Sequence, residues 1–180
     1  RPVLNLIRQE YYSQCDNYVL ALAQKVGILK SNAANTGKGS LNLSIHTEMS
    51  YFELGGLKLL FLPCELFPEL AYGGYLDAGC SAEGKSPDIN PAPLLRIAED
   101  DNMLIFCLAN DFTGYVVPPN DFYLNPKEPY INGGRDRLDR RHYEETNSLG
   151  PETAPIIANV FADIMNTVNK TKTEAEKAIK

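Results

Sequence analysis

The sequence holds no apolar run approaching the ~18 residues that a membrane-spanning helix needs. Basic residues are in the minority: 17 Lys and Arg stand against 23 Asp and Glu, a formal net charge of -6. That balance argues against a nucleic-acid binder, which needs a basic footprint. Histidine is scarce, with only His46 and His142, and no HExxH motif is present. There is no Gly-x-Ser-x-Gly elbow and no phosphate loop; Gly37-Lys38-Gly39-Ser40 is too short and follows no strand. The four cysteines match no zinc-knuckle or CxxC spacing. Cys15, Cys64 and Cys107 sit in apolar surroundings and read as small core residues, while Cys80, in a Gly-rich loop, is the candidate for pairing. No signal peptide opens the chain, which starts at Arg1 rather than Met; that reads as a fragment, a processed chain or a trimmed product.

What is present is an ordinary globular composition, 44% apolar and 22% charged over 180 residues, enough for one domain with a sizeable core. Residues 5–29 read as a helix, with Cys15, Val19, Leu22, Val26 and Leu29 on one stripe. Residues 41–46 alternate as a half-buried strand, Leu41, Leu43 and Ile45 against Asn42, Ser44 and His46. Residues 49–54 and 57–62 flank Gly55-Gly56, a hairpin signal of the type I′ kind, and the second run reads as a central strand covered on both faces. A short helix over 66–72 enters through Pro68, residues 73–90 are loop, and a helix over 93–99 has Pro93 at its first turn. Residues 103–109 are a second buried strand, and 118–136 form a long Pro-rich loop of the kind that is usually functional or mobile. The interleaved run from Arg135 to Arg141 reads as a solvated loop or helix start. The last helix begins at Pro151 or Pro155 and presents Ile157, Val160, Phe161, Ile164, Met165 and Val168 on one face; residues 169–180 read as a solvated tail. Asn42-Leu43-Ser44 and Asn169-Lys170-Thr171 fit the glycosylation pattern. These elements predict an α/β fold, a mixed β-sheet with covering helices, with α+β the close alternative.

Two strand ends carry the polar side chains of most interest. Glu65 follows the run Leu57–Leu62 and Tyr115 follows the run 103–109, the positions where sheets with helical cover place chemistry. The plain readings are a surface carboxylate or helix cap for Glu65 and a packed aromatic for Tyr115. His46 lies on the polar face of an edge-like strand, and His142 leads into Tyr143-Glu144-Glu145. Taken by themselves, one carboxylate, a few phenols and two scattered imidazoles do not complete an active site.

Three segments in order nevertheless resemble the C-terminal half of the catalytic domain of the neutral/alkaline, non-lysosomal ceramidases. Leu62-Pro63-Cys64-Glu65 resembles the family's Ile/Leu-Pro-Gly-Glu segment at a strand end. Cys107-Leu108-Ala109-Asn110-Asp111-Phe112-Thr113-Gly114-Tyr115 resembles its Gly-Leu-Ala/Thr-Asn, aromatic, Tyr segment. Arg141-His142-Tyr143-Glu144-Glu145, followed by Gly150-Pro151, resembles its Arg-Tyr-Glu segment and Gly-Pro helix start. The resemblance implies part of a larger catalytic domain, a zinc-dependent amidase splitting the N-acyl bond of N-acylsphingosine or a related N-acyl amide. It places Glu65 and Tyr115 on zinc ligands and Tyr143 on the tyrosine that supports the oxyanion. Zinc accepts oxygen and nitrogen donors and activates water, and a phenol suits a developing negative oxygen. The family's two zinc-binding histidines and its serine segment have no counterpart here, and Cys64 stands where the family has glycine. The zinc site therefore needs ligands from a missing N-terminal half or a second chain. The resemblance also implies a lipid amide as substrate and a secreted or cell-surface location. The alternative is a ceramidase-like binding or structural module that holds no metal.

Overall fold

A long strand near the N-terminal third organises the sheet. The computed structural model describes residues 4–179. Strand β1 (Leu4–Gln14) is followed by helix α1 (Tyr18–Lys25), the short strand β2 (Ala33–Asn35) and the twelve-residue strand β3 (Leu43–Leu54). β1 pairs antiparallel with β3 along its whole length, from Leu4↔Leu54 to Gln14↔Ser44. Strand β4 (Leu57–Phe61) returns beside the far end of β3, and β2 pairs with its near end. Strand β6 (Leu104–Phe106) adds parallel to β4, after strand β5 (Glu65–Leu66), helix α2 (Pro68–Tyr72) and helix α3 (Leu94–Ala98). The result is a five-stranded mixed sheet ordered β1-β3-β4-β6, with β2 also on β3, and with helices between and after its strands. This is the α/β architecture expected of the sequence.

The expected helix over 5–29 is instead a strand, a turn and a short helix. The stripe that suggested it is largely bare: Leu22, Val26 and Leu29 are exposed. One long-range and one local interaction outweigh it. Residues 4–14 pair with β3, and the Asn17 side chain caps α1 by accepting from the N–H groups of Val19 and Leu20 at 3.1 and 3.2 Å. The strand expected over 41–46 starts at Leu43, because Leu41 and Asn42 take left-handed φ of 56 and 60° in a 3₁₀ turn. The Gly55-Gly56 hairpin forms as expected, but only Gly55 has positive φ (63°), so the turn is not type I′. Residues 103–109 shorten to β6, and the helices over 66–72 and 93–99 shorten to α2 and α3.

One face of the sheet is packed and the other is not. The C-terminal helix α4 (Thr153–Ile179) buries Ile157, Phe161, Ile164 and Val168, with the Phe161 ring 6.4 Å from that of Tyr51 on β3. Pro155 lies in the first turn of α4, where proline is tolerated. Residues 169–179, read as a solvated tail, continue the helix, and Lys172 donates to the buried Glu53 at 2.8 Å; Lys180 lies outside the described residues. On the opposite face, the cross-strand rows Leu4–Leu54–Leu57 and Leu6–Phe52–Leu59–Leu104 have no layer over them among the described residues. The expectation that β4 and β6 are covered on both faces is therefore corrected: Leu57, Leu104 and Phe106 are exposed. None of the described helices is long and apolar enough to cross a membrane.

Candidate functional site

The parallel pair β4 and β6 continues beyond its strands. Leu62 N–H donates to the Phe106 carbonyl at 2.8 Å, Ala109 N–H to Leu62 at 2.9 Å, and Thr113 N–H to Pro63 at 2.7 Å. Glu65 N–H then donates to the Gly114 carbonyl at 3.0 Å. Past this point β5 pairs parallel with strand β7 (Tyr115–Val116), and the register sets Glu65 opposite Tyr115. Register partners on adjacent strands lie ~5 Å apart with side chains on one face. Two residues separated by fifty positions in sequence are thus neighbours, because each opens a strand of the parallel pair β5 and β7.

Tyr143 joins them from another part of the chain. It follows the hairpin of β8 (Gly134–Arg135) and β9 (Arg141–His142) and precedes a 3₁₀ turn, Glu144–Asn147. Its ring meets that of Tyr115 edge to face, centroids 6.0 Å apart and planes at 82°. Tyr143 is 56% exposed, whereas Glu65 and Tyr115 are half-buried. Polar contact with the Tyr143 hydroxyl, then burial and the Glu65 charge, push the Tyr115 phenol up to about 12. Tyr115 is therefore a neutral donor across the physiological range. All three residues expected at the site come together. Glu65 also opens onto a shallow depression of about 570 Å³, lined by Leu108, Asn110, Asp111 and Phe112.

The loop 107–114 that builds this wall is strained and held. Leu108 and Asn110 take left-handed φ of 57 and 71°, a region that non-glycine residues rarely adopt. Asn110 Nδ2 donates to Glu48 Oε1 at 3.0 Å, and Thr47 Oγ1 donates to Asp111 Oδ2 at 2.7 Å, both anchors on β3. Gly114 has φ of 90°, and a Cβ there would lie 1.9 Å from the Asn147 carbonyl oxygen. That close approach locks the strand bearing Tyr115 against the turn that follows Tyr143.

A buried ionic cluster anchors the Tyr143 segment from behind. His142 lies between Glu145 Oε1, 2.8 Å from Nδ1, and Asp136 Oδ2, 3.2 Å from Nε2. Arg140 bridges Asp136 and Asp121, and Glu145 also accepts from Tyr123 N–H at 3.1 Å. Burial opposes charge on His142, but the two carboxylates outweigh it and raise its pKa. Burial likewise opposes charge on Asp136, and its bonds from Arg140, His142 and Leu138 N–H outweigh that and hold it far below the usual carboxylate range. Asn17 Nδ2 ties α1 to the same segment by donating to the carbonyls of Thr146 and Ser148 at 3.1 and 3.0 Å. The run Arg135 to Arg141, expected to be a solvated loop, is thus partly an internal ion-pair network. Its alternation of acids and bases does not by itself separate such a network from a solvated face, since Asp121 and Tyr123 complete it from elsewhere in the chain.

The expected metal is tested by the donors present. Among the described residues no group of three or more His, Cys, Asp and Glu side chains is placed to hold a metal ion. His142 is committed to Asp136 and Glu145, and His46 stacks on Tyr12, centroids 4.8 Å apart, on the open face of the sheet. One carboxylate and one neutral phenol do not by themselves fit zinc, which takes four donors. The cysteines offer nothing to the site: Cys15 and Cys64 are buried, and all four thiols are free. Cys107, expected in the core, is exposed, as is Cys80. Burial pushes the Cys64 thiol well above its ordinary value, so it is an inert packing group.

No family model matches the chain, and no curated protein or solved structure matches it.

Proposed function

We propose that this chain supplies one wall of an amide-hydrolase site of the ceramidase type, acting on N-acylsphingosine or a related N-acyl amide. The observation that carries the reading is the meeting of Glu65, Tyr115 and Tyr143, which the three resembling segments name and which lie far apart in sequence. In this reading Glu65 and Tyr115 are two oxygen donors to a zinc ion whose other donors come from a missing N-terminal half or a second chain. Tyr143, exposed beside them, donates its hydroxyl hydrogen to the carbonyl oxygen as negative charge develops there. The clamp at Gly114 and the His142 cluster keep the two phenols in register, so the donor needs little reorganisation during reaction. The same resemblance implies a secreted or cell-surface location.

The test is N-acyl amide hydrolysis by the full-length gene product, with and without a chelator. Removing one oxyanion donor costs about 10²–10³ in kcat, so Tyr143→Phe is expected to fall by that factor with KM little changed. Glu65→Gln is expected to abolish turnover. Unchanged hydrolysis in both variants refutes the assignment. A second reading, a ceramidase-like binding or structural module without metal, is favoured by one observation: fully buried Cys64 replaces the glycine before Glu65. Hydrolysis that survives neither dilution of contaminants nor repurification supports that second reading.

A further inference from the structure

We infer that the open face of the main sheet is a contact surface between two copies of this chain. Its apolar end presents Leu4, Leu6, Leu54, Leu57, Leu104 and Phe106, all between 46 and 72% exposed. Half-covered Phe52, Leu59 and Phe61 fill the gaps between them through the cross-strand register. Sheets with one face in water alternate apolar-in with polar-out, and this face breaks that rule over adjoining strands. Exposed apolar patches of several hundred Å² mark interaction sites in soluble proteins.

Three features select a second copy as the occupant. The first is area: these side chains expose roughly 700 Å², close to the ~800 Å² that each partner of a standard interface buries. The second is charge. The rows Leu4–Leu54–Leu57 and Leu6–Phe52–Leu59–Leu104 contain no ionisable group, so burying them against themselves strands no charge, although the chain as a whole carries a net -6. The third is layout. The charged residues of this face, Arg8, Glu10 and Glu48, pair with one another beyond the two leucine rows, Arg8 standing in the row of Ser50, Phe61 and Phe106. A two-fold axis through the two leucine rows sets them on one another and leaves Glu10 and Glu48 outside the overlap, with Arg8 at its rim and already paired. Two sheets packed this way sit ~10 Å apart with strands offset by ~30°, the geometry of a sandwich. The contact is isologous and closes at two copies.

Sedimentation equilibrium of the purified chain tests this. A dimer is expected at tens of micromolar, and Leu6→Glu and Leu57→Glu, both on the open face, are each expected to raise the dissociation constant by roughly 30-fold or more, as loss of an interface anchor does. Leu22→Glu, on the exposed side of α1, and Val26→Glu, at its C-cap, are the matched controls and should leave it unchanged. Unaltered circular dichroism in the face variants shows that folding is not the cause. A monomer across the whole concentration range overturns the inference. So does a dimer that Leu6→Glu and Leu57→Glu leave intact, or a full-length gene product in which another segment shields Leu6 and Leu57 from labelling while the protein remains monomeric.

Discussion

Replacing Gly114 by alanine attacks the joint between the two halves of the site. Two costs add. A left-handed backbone costs a residue with a Cβ roughly 1–2 kcal/mol. The new methyl would lie 1.9 Å from the Asn147 carbonyl oxygen, a backbone atom that cannot swing aside. Forcing atoms into packed space typically costs about 1–3 kcal/mol more. The expected loss is therefore about 2–5 kcal/mol, or a Tm lower by about 4–20 °C for a chain of this size. Gly37 supplies the control, since it has φ of 74° but open space where its Cβ would go. Gly37→Ala should cost only the backbone part, about 1–2 kcal/mol. Thermal unfolding by circular dichroism, run on both variants, isolates the contact. Equal losses at the two positions would show that the approach of Gly114 to Asn147 does not hold the site together.

Polar contact with Tyr143 is the largest cause of the raised Tyr115 phenol, so Tyr143→Phe should bring Tyr115 down from about 12 toward 10, read by NMR pH titration of ring-labelled tyrosine; a stationary value breaks the link between the two phenols. The His142 cluster sets a pH window. Its pKa is raised on folding, so its contribution is complete below 6.5 and is lost as pH climbs through the raised value. Asp136 is lowered, so its contribution is complete above 3.8 and is lost as pH falls through its lowered value. Urea midpoints should therefore decline on both sides of that interval, and His142→Gln should flatten the alkaline decline; an unchanged alkaline slope in the variant refutes the role. Phe161→Ala, which empties a fully buried site against Tyr51, should lower unfolding free energy by about 3–5 kcal/mol in the same assay.

The hairpin at Gly55-Gly56 and helix α4 were legible because their signals are local: two glycines between strand runs, and an apolar face at helical spacing. Strand β1 was not, because its pairing partner lies some forty residues away and its neighbour α1 carries a misleading stripe. The apolar runs of β4 and β6 suggest burial on both faces, yet an apolar run looks the same whether a second layer covers it or leaves it bare. Glu65 and Tyr115 were legible as strand-end positions, since the parallel pairing that aligns them follows from where the runs stop. The support behind Tyr143 was not. Asp136, Arg140, His142 and Glu145 look like a solvated charge run until the fold brings Asp121 and Tyr123 against them.

In the proposed reading Glu65 and Tyr115 face one cation. Metal analysis of the full-length gene product, purified without chelators, measures this directly. One zinc per chain is expected, falling to a small fraction in Glu65→Gln and in Tyr115→Phe while the fold persists by circular dichroism. Full zinc occupancy in both variants, or none in the unaltered protein, would contradict it.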